Sequence, residues 1–180
     1  MPLHPTFSSM TFRDDLWWVT APVPVSFFDG QALAFNFETD PESETWDAAQ
    51  NAALTFLHLT AKARELTTPY VLADLRFSLE VTSYGDEEYE EEMAAIQTSE
   101  ALWAQVTPQE VWVIFPSTEP ETPYVLLVTE PSWEQEHGLQ LVLRQGHQLV
   151  CLMPNEPHLP DLSDPQRQGV VHPPLELRSD

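Results

Sequence analysis

Apolar residues along this chain change their spacing several times, and each change predicts a different element. Leu33, Phe35 and Phe37 alternate with Ala34, Asn36 and Glu38, the two-residue period of a strand with one buried face. Upstream, Leu-Trp-Trp-Val-Thr from Leu16 and Val-Ser-Phe-Phe from Val25 are also β-prone. Asp29-Gly30 stands between the second of these and the alternating run, which predicts a tight hairpin. From Trp46 onward the period lengthens. Trp46, Ala49, Ala53, Phe56, Leu57 and Thr60 recur at three- and four-residue steps, so residues 43–66 predict one helix with a single buried stripe. Asp40-Pro41-Glu42-Ser43-Glu44 supplies its start, with a capping side chain, an early proline and acids near the positive end of the dipole.

Residues 69–84 suit a helix through Leu72, Leu75 and Leu79, although Phe77, Leu79 and Val81 also alternate; the reading here is helix. Asp86 to Glu92 holds six acids in seven residues and predicts a solvated loop or helix start. Thr98 or Ser99 caps a short helix carrying Ala101, Leu102 and Val106, and Pro108 introduces a strand at Val111–Phe115. Pro116–Pro123 reads as a polar linker. Residues 111–115 and 124–129 are apolar on both faces and predict central, covered strands. From Tyr124 to Met153, three β-rich runs separated by two breaks predict a β-meander. Its second break, Gln145-Gly146, predicts a two-residue hairpin pairing Arg144 with His147. That register places Leu139, Leu141, Leu143, Val150 and Leu152 on one face, with Gln140, Arg144, His147 and Cys151 mostly on the other.

The chain of 180 residues suffices for one domain with its own core. The expected architecture is a single α+β domain over residues 1–153, beginning with a loose lead-in over residues 1–15. Its antiparallel sheet combines an N-terminal hairpin with the C-terminal meander, and helices cover one face. Residues 154–180, with six prolines between Pro154 and Pro174, read as an extended or disordered tail.

Charge alters the functional picture more than the fold. Seven Lys and Arg stand against 29 Asp and Glu, a net charge of −22 at pH 7. Such a surface repels nucleic acid backbones and anionic membranes and attracts a basic protein, although general solubility would account for the same acidity. The single cysteine, Cys151, leaves no internal disulfide and no cysteine-based zinc site. The N-terminal residues lack a signal-peptide pattern and no run is apolar enough for a membrane helix, so the expected location is the cytoplasm.

The first break of the meander, Trp133-Glu134-Gln135-Glu136-His137-Gly138, is the chemically richest loop. Glu134 and His137 share the three-residue spacing used by carboxylate-bridged metal sites, which supports an alternative reading as a metal-dependent hydrolase centred on Glu134, Glu136 and His137. No partner Glu-x-x-His and no His-Glu-x-x-His accompany it, so no metal or cofactor is expected. The structural reading makes Trp133 a core anchor and Gly138 a bend. The binding reading uses Trp133, Glu134, Glu136 and His137 together with Glu87, Glu88, Glu90 and Glu91. No nucleophile elbow or phosphate loop is present, Cys151 lies in an apolar strand, and no catalytic residue is assigned.

Trp133-Glu-Gln-Glu-His137-Gly-Leu-Gln-Leu-Val-Leu-Arg-Gln-Gly146, followed by a further strand, resembles an uncharacterised bacterial domain family with a Trp-Glu-x-Glu-His-Gly-Leu turn and a hairpin near its C-terminal end. The helix of residues 45–66 and the strand Val111–Phe115 are similar to further parts of that pattern, over roughly residues 25–153. Pro154-Asn-Glu-Pro-His158 departs from it where a glycine turn would follow the last strand. The resemblance implies a non-enzymatic module like the immunity proteins that neutralise toxins exchanged between bacteria, and it carries no catalytic residues.

Overall fold

The alternating and doubly apolar runs become strands of one sheet, and the helical stretches fill the connection between two of them. The structure, a computed structural model, describes residues 4–13, 16–82, 84–156, 159–162, 164 and 166–178. Its strands are β1 (Met10–Arg13), β2 (Trp17–Thr20), β3 (Val23–Val25), β4 (Gln31–Phe37), β5 (Val106–Ile114), β6 (Tyr124–Pro131), β7 (Leu139–Arg144), β8 (Gln148–Met153) and β9 (Val170–Glu176). Helices α1 (Trp46–Leu57), α2 (Ala61–Val81), α3 (Glu87–Ala95) and α4 (Ser99–Trp103) lie between β4 and β5. The sheet order is β1-β2-β4-β5-β6-β7-β8-β9, with β3 also paired to β4. Neighbouring strands run antiparallel except β4 and β5, which run parallel. A parallel pair needs a crossover, and the four helices are that crossover. This is the α+β class that the sequence predicts.

The helices bury one sheet face. Phe35, Phe37, Val111, Val113, Val125, Leu127, Leu141 and Leu143 join Trp46, Ala49, Ala53, Phe56, Val71 and Leu75 in the main core. The opposite face has its own smaller cluster of Ile114, Tyr124, Leu126, Val142, Val150, Cys151 and Met153, against which Leu159 and Leu162 pack. The doubly apolar strands β5 and β6 are therefore central, with contacts on both sides.

Several expectations are corrected. The single helix over residues 43–66 is two helices, because the chain turns at His58–Thr60 to bury Leu59 and restarts from an extended Thr60. Residues 69–81 do continue as helix, through Pro69. The acidic run is helical from Glu87, with the Asp86 side chain accepting the Tyr89 N–H as its cap. Of the loose lead-in, the described residues 4–13 are ordered into the fold: Phe7 is buried with its ring 5.6 Å from Phe35 and 5.3 Å from Phe37. An isolated phenylalanine has no period to reveal it.

Both hairpins exist with wider turns than expected. Val25 pairs with Gln31, so a five-residue connection closes through left-handed Asp29 and Gly30, and the expected strand residues Ser26–Phe28 form a 3-10 turn that buries Phe27 and Phe28. At the second hairpin Arg144 lies opposite Gln148 rather than His147, and the register shifts again beside Val142 and Leu143. The extra residue reverses two side chains: Leu149 takes the main-core position, and Val150 moves to the outer face.

Within residues 154–180, Val170–Glu176 adds β9 beside β8, pairing Cys151 with Val170 and Gln148 with Glu176. His158 lies outside the described residues. Pro173 and Pro174 are tolerated because β9 is an edge strand and they fall where its pairing with β8 is interrupted, between Leu175 opposite Leu149 and Val170 opposite Cys151.

Candidate functional site

The loop between β6 and β7 is fixed from several directions. Trp133 is 1 % exposed, and its indole Nε1–H donates to Asp74 Oδ2 on α2 at 3.0 Å. The backbone N–H of Ser132 donates to the Gln105 carbonyl at 2.9 Å, and its hydroxyl reaches Gln105 Oε1 at 3.0 Å. Two tyrosines flanking the start of α3 complete the attachment. Tyr84 Oη donates to the Trp133 carbonyl at 2.7 Å, and Tyr89 Oη donates to the Ser132 carbonyl at 2.8 Å. Gly138 ends the loop with φ of 65°, and a Cβ there would stand 2.8 Å from the Thr129 carbonyl. The lack of a side chain there is therefore required by the neighbouring strand.

These tyrosines bring together the two acidic stretches that the sequence singles out separately. Glu87, Glu88 and Glu91 on α3 are exposed, as is Glu136 in the loop. Glu90 is half-buried and accepts the Tyr84 N–H at 2.8 Å. Acids in the first turn of α3 suit the positive end of its dipole. Its other end is capped by Arg76, whose guanidinium donates to the carbonyls of Ala94 and Ile96. Charge on this helix is thus presented outward by a fixed scaffold.

On the other side of the same loop lies a groove of about 620 Å³. One wall is the α2 stripe Tyr70, Ala73, Asp74 and Phe77, positions that share a helix face. The other is the β8–β9 corner, with Leu152, Arg167 and Val171. Gly169 makes that corner possible: its φ is 80°, and a Cβ would meet the Leu152 carbonyl at 1.9 Å. Glu134 and Gly138 also line the groove. Burial pushes the Asp74 carboxyl above its ordinary range, against the lowering hydrogen bond from Trp133, and the Glu134 charge adds to the rise. Burial likewise pushes the Cys151 thiol up to about 11, so it stays protonated and unreactive at neutral pH despite the opposing charge of Arg167.

Of the residues singled out in the sequence, Trp133 is the core anchor, and its buried ring is out of reach of an external partner. Glu134 lines the groove, while Glu136 and His137 sit on the exposed loop tip. Glu134 Oε1 and His137 Nδ1 are 3.3 Å apart, with 30 % and 60 % of their side chains exposed. Among the described residues no three His, Cys, Asp or Glu side chains converge as a metal set. Asp74, Tyr70, Phe77 and Arg167 are not found by sequence reasoning. The signal available is the 70, 73, 74, 77 spacing on α2, a second stripe beside the buried one of Val71, Leu75 and Ser78.

Fold and loop together define an α+β module in which the acidic α3 is tied to the β6–β7 loop beside a groove. The chain belongs to the DUF6985 family, a domain of unknown function, whose model matches residues 6–159. That span is wider at both ends than the resemblance read from the sequence, and it includes the buried Phe7. Comparisons with curated proteins and with solved structures gave no match. No helix among the described residues is long and apolar enough to cross a membrane.

Proposed function

We propose that this chain is a non-catalytic protein-binding module that meets a basic partner through α3 and the β6–β7 loop. The observation that carries this is the pair of tyrosine hydroxyls, Tyr84 on the Trp133 carbonyl and Tyr89 on the Ser132 carbonyl, which fix two acidic stretches as one surface. A preorganised surface loses less freedom on binding than two mobile loops would. The net charge of −22 then speeds encounter with a cation, because such fields act on association more than on final affinity. A bacterial immunity-type inhibitor, acting in the cytoplasm against a basic toxin, fits this chemistry and the resemblance of the Trp133–Gly146 stretch. The alternative, a metal-dependent hydrolase at Glu134, Glu136 and His137, has the Glu134–His137 contact in its favour and lacks a third converging ligand among the described residues.

The test isolates the native complex at low ionic strength, identifies the partner, and measures association and dissociation separately. Association is expected to slow steeply as salt rises to physiological strength. Neutralising Glu87, Glu88, Glu90 and Glu91 together is expected to slow association more than it speeds dissociation. A rate indifferent to both salt and these substitutions would reduce the acidity to solubility alone.

A further inference from the structure

We propose that the groove between α2 and the β8–β9 corner seats a lysine or arginine side chain of the basic partner, carried on an extended segment that lies across Phe77 and Tyr70. The inference rests on the protein-binding reading above and names the contact that gives it selectivity.

Size and lining come first. A volume of about 620 Å³ falls within the range of ligand-holding clefts. Leu139, Leu152 and Val171 provide apolar wall for the methylene stem of a long cationic side chain, whose charged head then extends to polar groups. Charge comes second. Asp74 and Glu134 both line the groove, close enough for the Glu134 charge to be felt at Asp74. Among the described residues Asp74 has Trp133 as hydrogen-bond partner and no cation beside it. A carboxylate partly withdrawn from water beside a second acid gains from an incoming ammonium or guanidinium, which supplies the missing charge. Aromatic surface comes third. Phe77 is 42 % exposed, one turn along α2 from Asp74, and Tyr70 lies one turn before it. Rings placed beside carboxylates favour a cation over a neutral amide. Arg167 stands on the β8–β9 side near Cys151, so a cation is drawn toward Asp74 rather than toward that wall.

The probe is a short fluorescein-labelled peptide of alternating lysine and alanine, titrated into the full chain at physiological salt with anisotropy as readout. The indole N–H resonance of Trp133 reports locally, because that group donates to Asp74. Asp74→Asn is expected to weaken binding about tenfold, the loss of one charge-assisted contact. Arg167→Gln is expected to strengthen it, and the Trp133 resonance is expected to move on saturation. If Asp74→Asn binds as the unaltered chain does and the indole resonance stays still, the groove is not the seat. The acidic-surface reading then survives provided that neutralising the α3 glutamates still slows association. Displacement by spermidine at the peptide's own concentration would overturn the assignment to a partner segment. Failure of the peptide to bind even at low salt would overturn both readings.

Discussion

The two connections of the C-terminal meander look alike in sequence, each a polar break ending near a glycine, but they do different work. Gln145-Gly146-His147 is a turn pressed against a helix: Gly146 has φ of 78°, and a Cβ there would lie 2.1 Å from the Ala52 carbonyl of α1. The loop from Pro131 to Gly138 instead touches α2 and α3 through hydrogen bonds and leaves its polar tip in solvent. Close packing of its backbone on α1, with His147 turned toward Glu176 of the neighbouring edge strand at 3.4 Å, marks the first as structural. Side-chain hydrogen bonds that hold an exposed polar tip, a half-buried carboxylate and an adjoining groove mark the second as the place for binding.

The contrast is broken most severely at the first turn. Gly146→Val is expected to lose about 1–2 kcal/mol to the left-handed backbone and a further 1–3 kcal/mol to displacement of α1. Urea unfolding measures the sum. A loss of only about 1 kcal/mol would show that the hairpin swings away from α1 freely. Gly138→Ala is the matched change in the second connection. Its Cβ approaches the Thr129 carbonyl less closely, at 2.8 Å, so the expected loss is smaller, about 1–3 kcal/mol. Because Gly138 and Glu134 both line the groove, this variant is also expected to weaken lysine-peptide binding, which Gly146→Val leaves intact in the fraction that remains folded. Equal effects on binding from both would erase the distinction between the turns.

These two regions also show what could be read in the sequence. Alternation and period reveal β4, the meander strands, the first helix stripe and the central place of β5 and β6, because backbone geometry imposes those spacings locally; β1 in the expected lead-in and Val106 at the start of β5, expected on a helix, carry no such period. The pairing of Arg144 departs from the two-residue expectation because the turn takes three residues, with Gln145 and Gly146 both left-handed, and a second shift follows beside Val142. Pro173 and Pro174 hide the β9 strand, because prolines are compatible only with an edge or an irregular stretch of pairing, and β9 offers both. Half of the candidate site was visible as Glu-rich stretches. The other half, Asp74 with Tyr70 and Phe77, was not, because an acid on a helix looks solvated until Trp133, far along the chain, is known to cover it.

The smallest expected effect on stability is the one that bears most on function. Burial raises the Asp74 pKa above its ordinary 3.8, so the folded state holds that proton more tightly than the unfolded state does. In the window from 3.8 up to the raised value, the folded protein binds more protons, and stability falls as pH rises. Above that window the full penalty is present. Asp74→Asn keeps an oxygen to accept the Trp133 indole N–H while removing the charge. The variant is therefore expected to be modestly more stable than the unaltered chain at neutral pH, with the advantage shrinking as pH falls through the same window. Thermal midpoints measured across that range check the sign. The same substitution is expected to weaken binding of the lysine peptide, so one carboxylate would lower stability and raise affinity together, the trade expected of a group held in place for a ligand. Lower stability at neutral pH would instead make Asp74 an ordinary structural partner of Trp133, and the second connection would then differ from the first only in its packing.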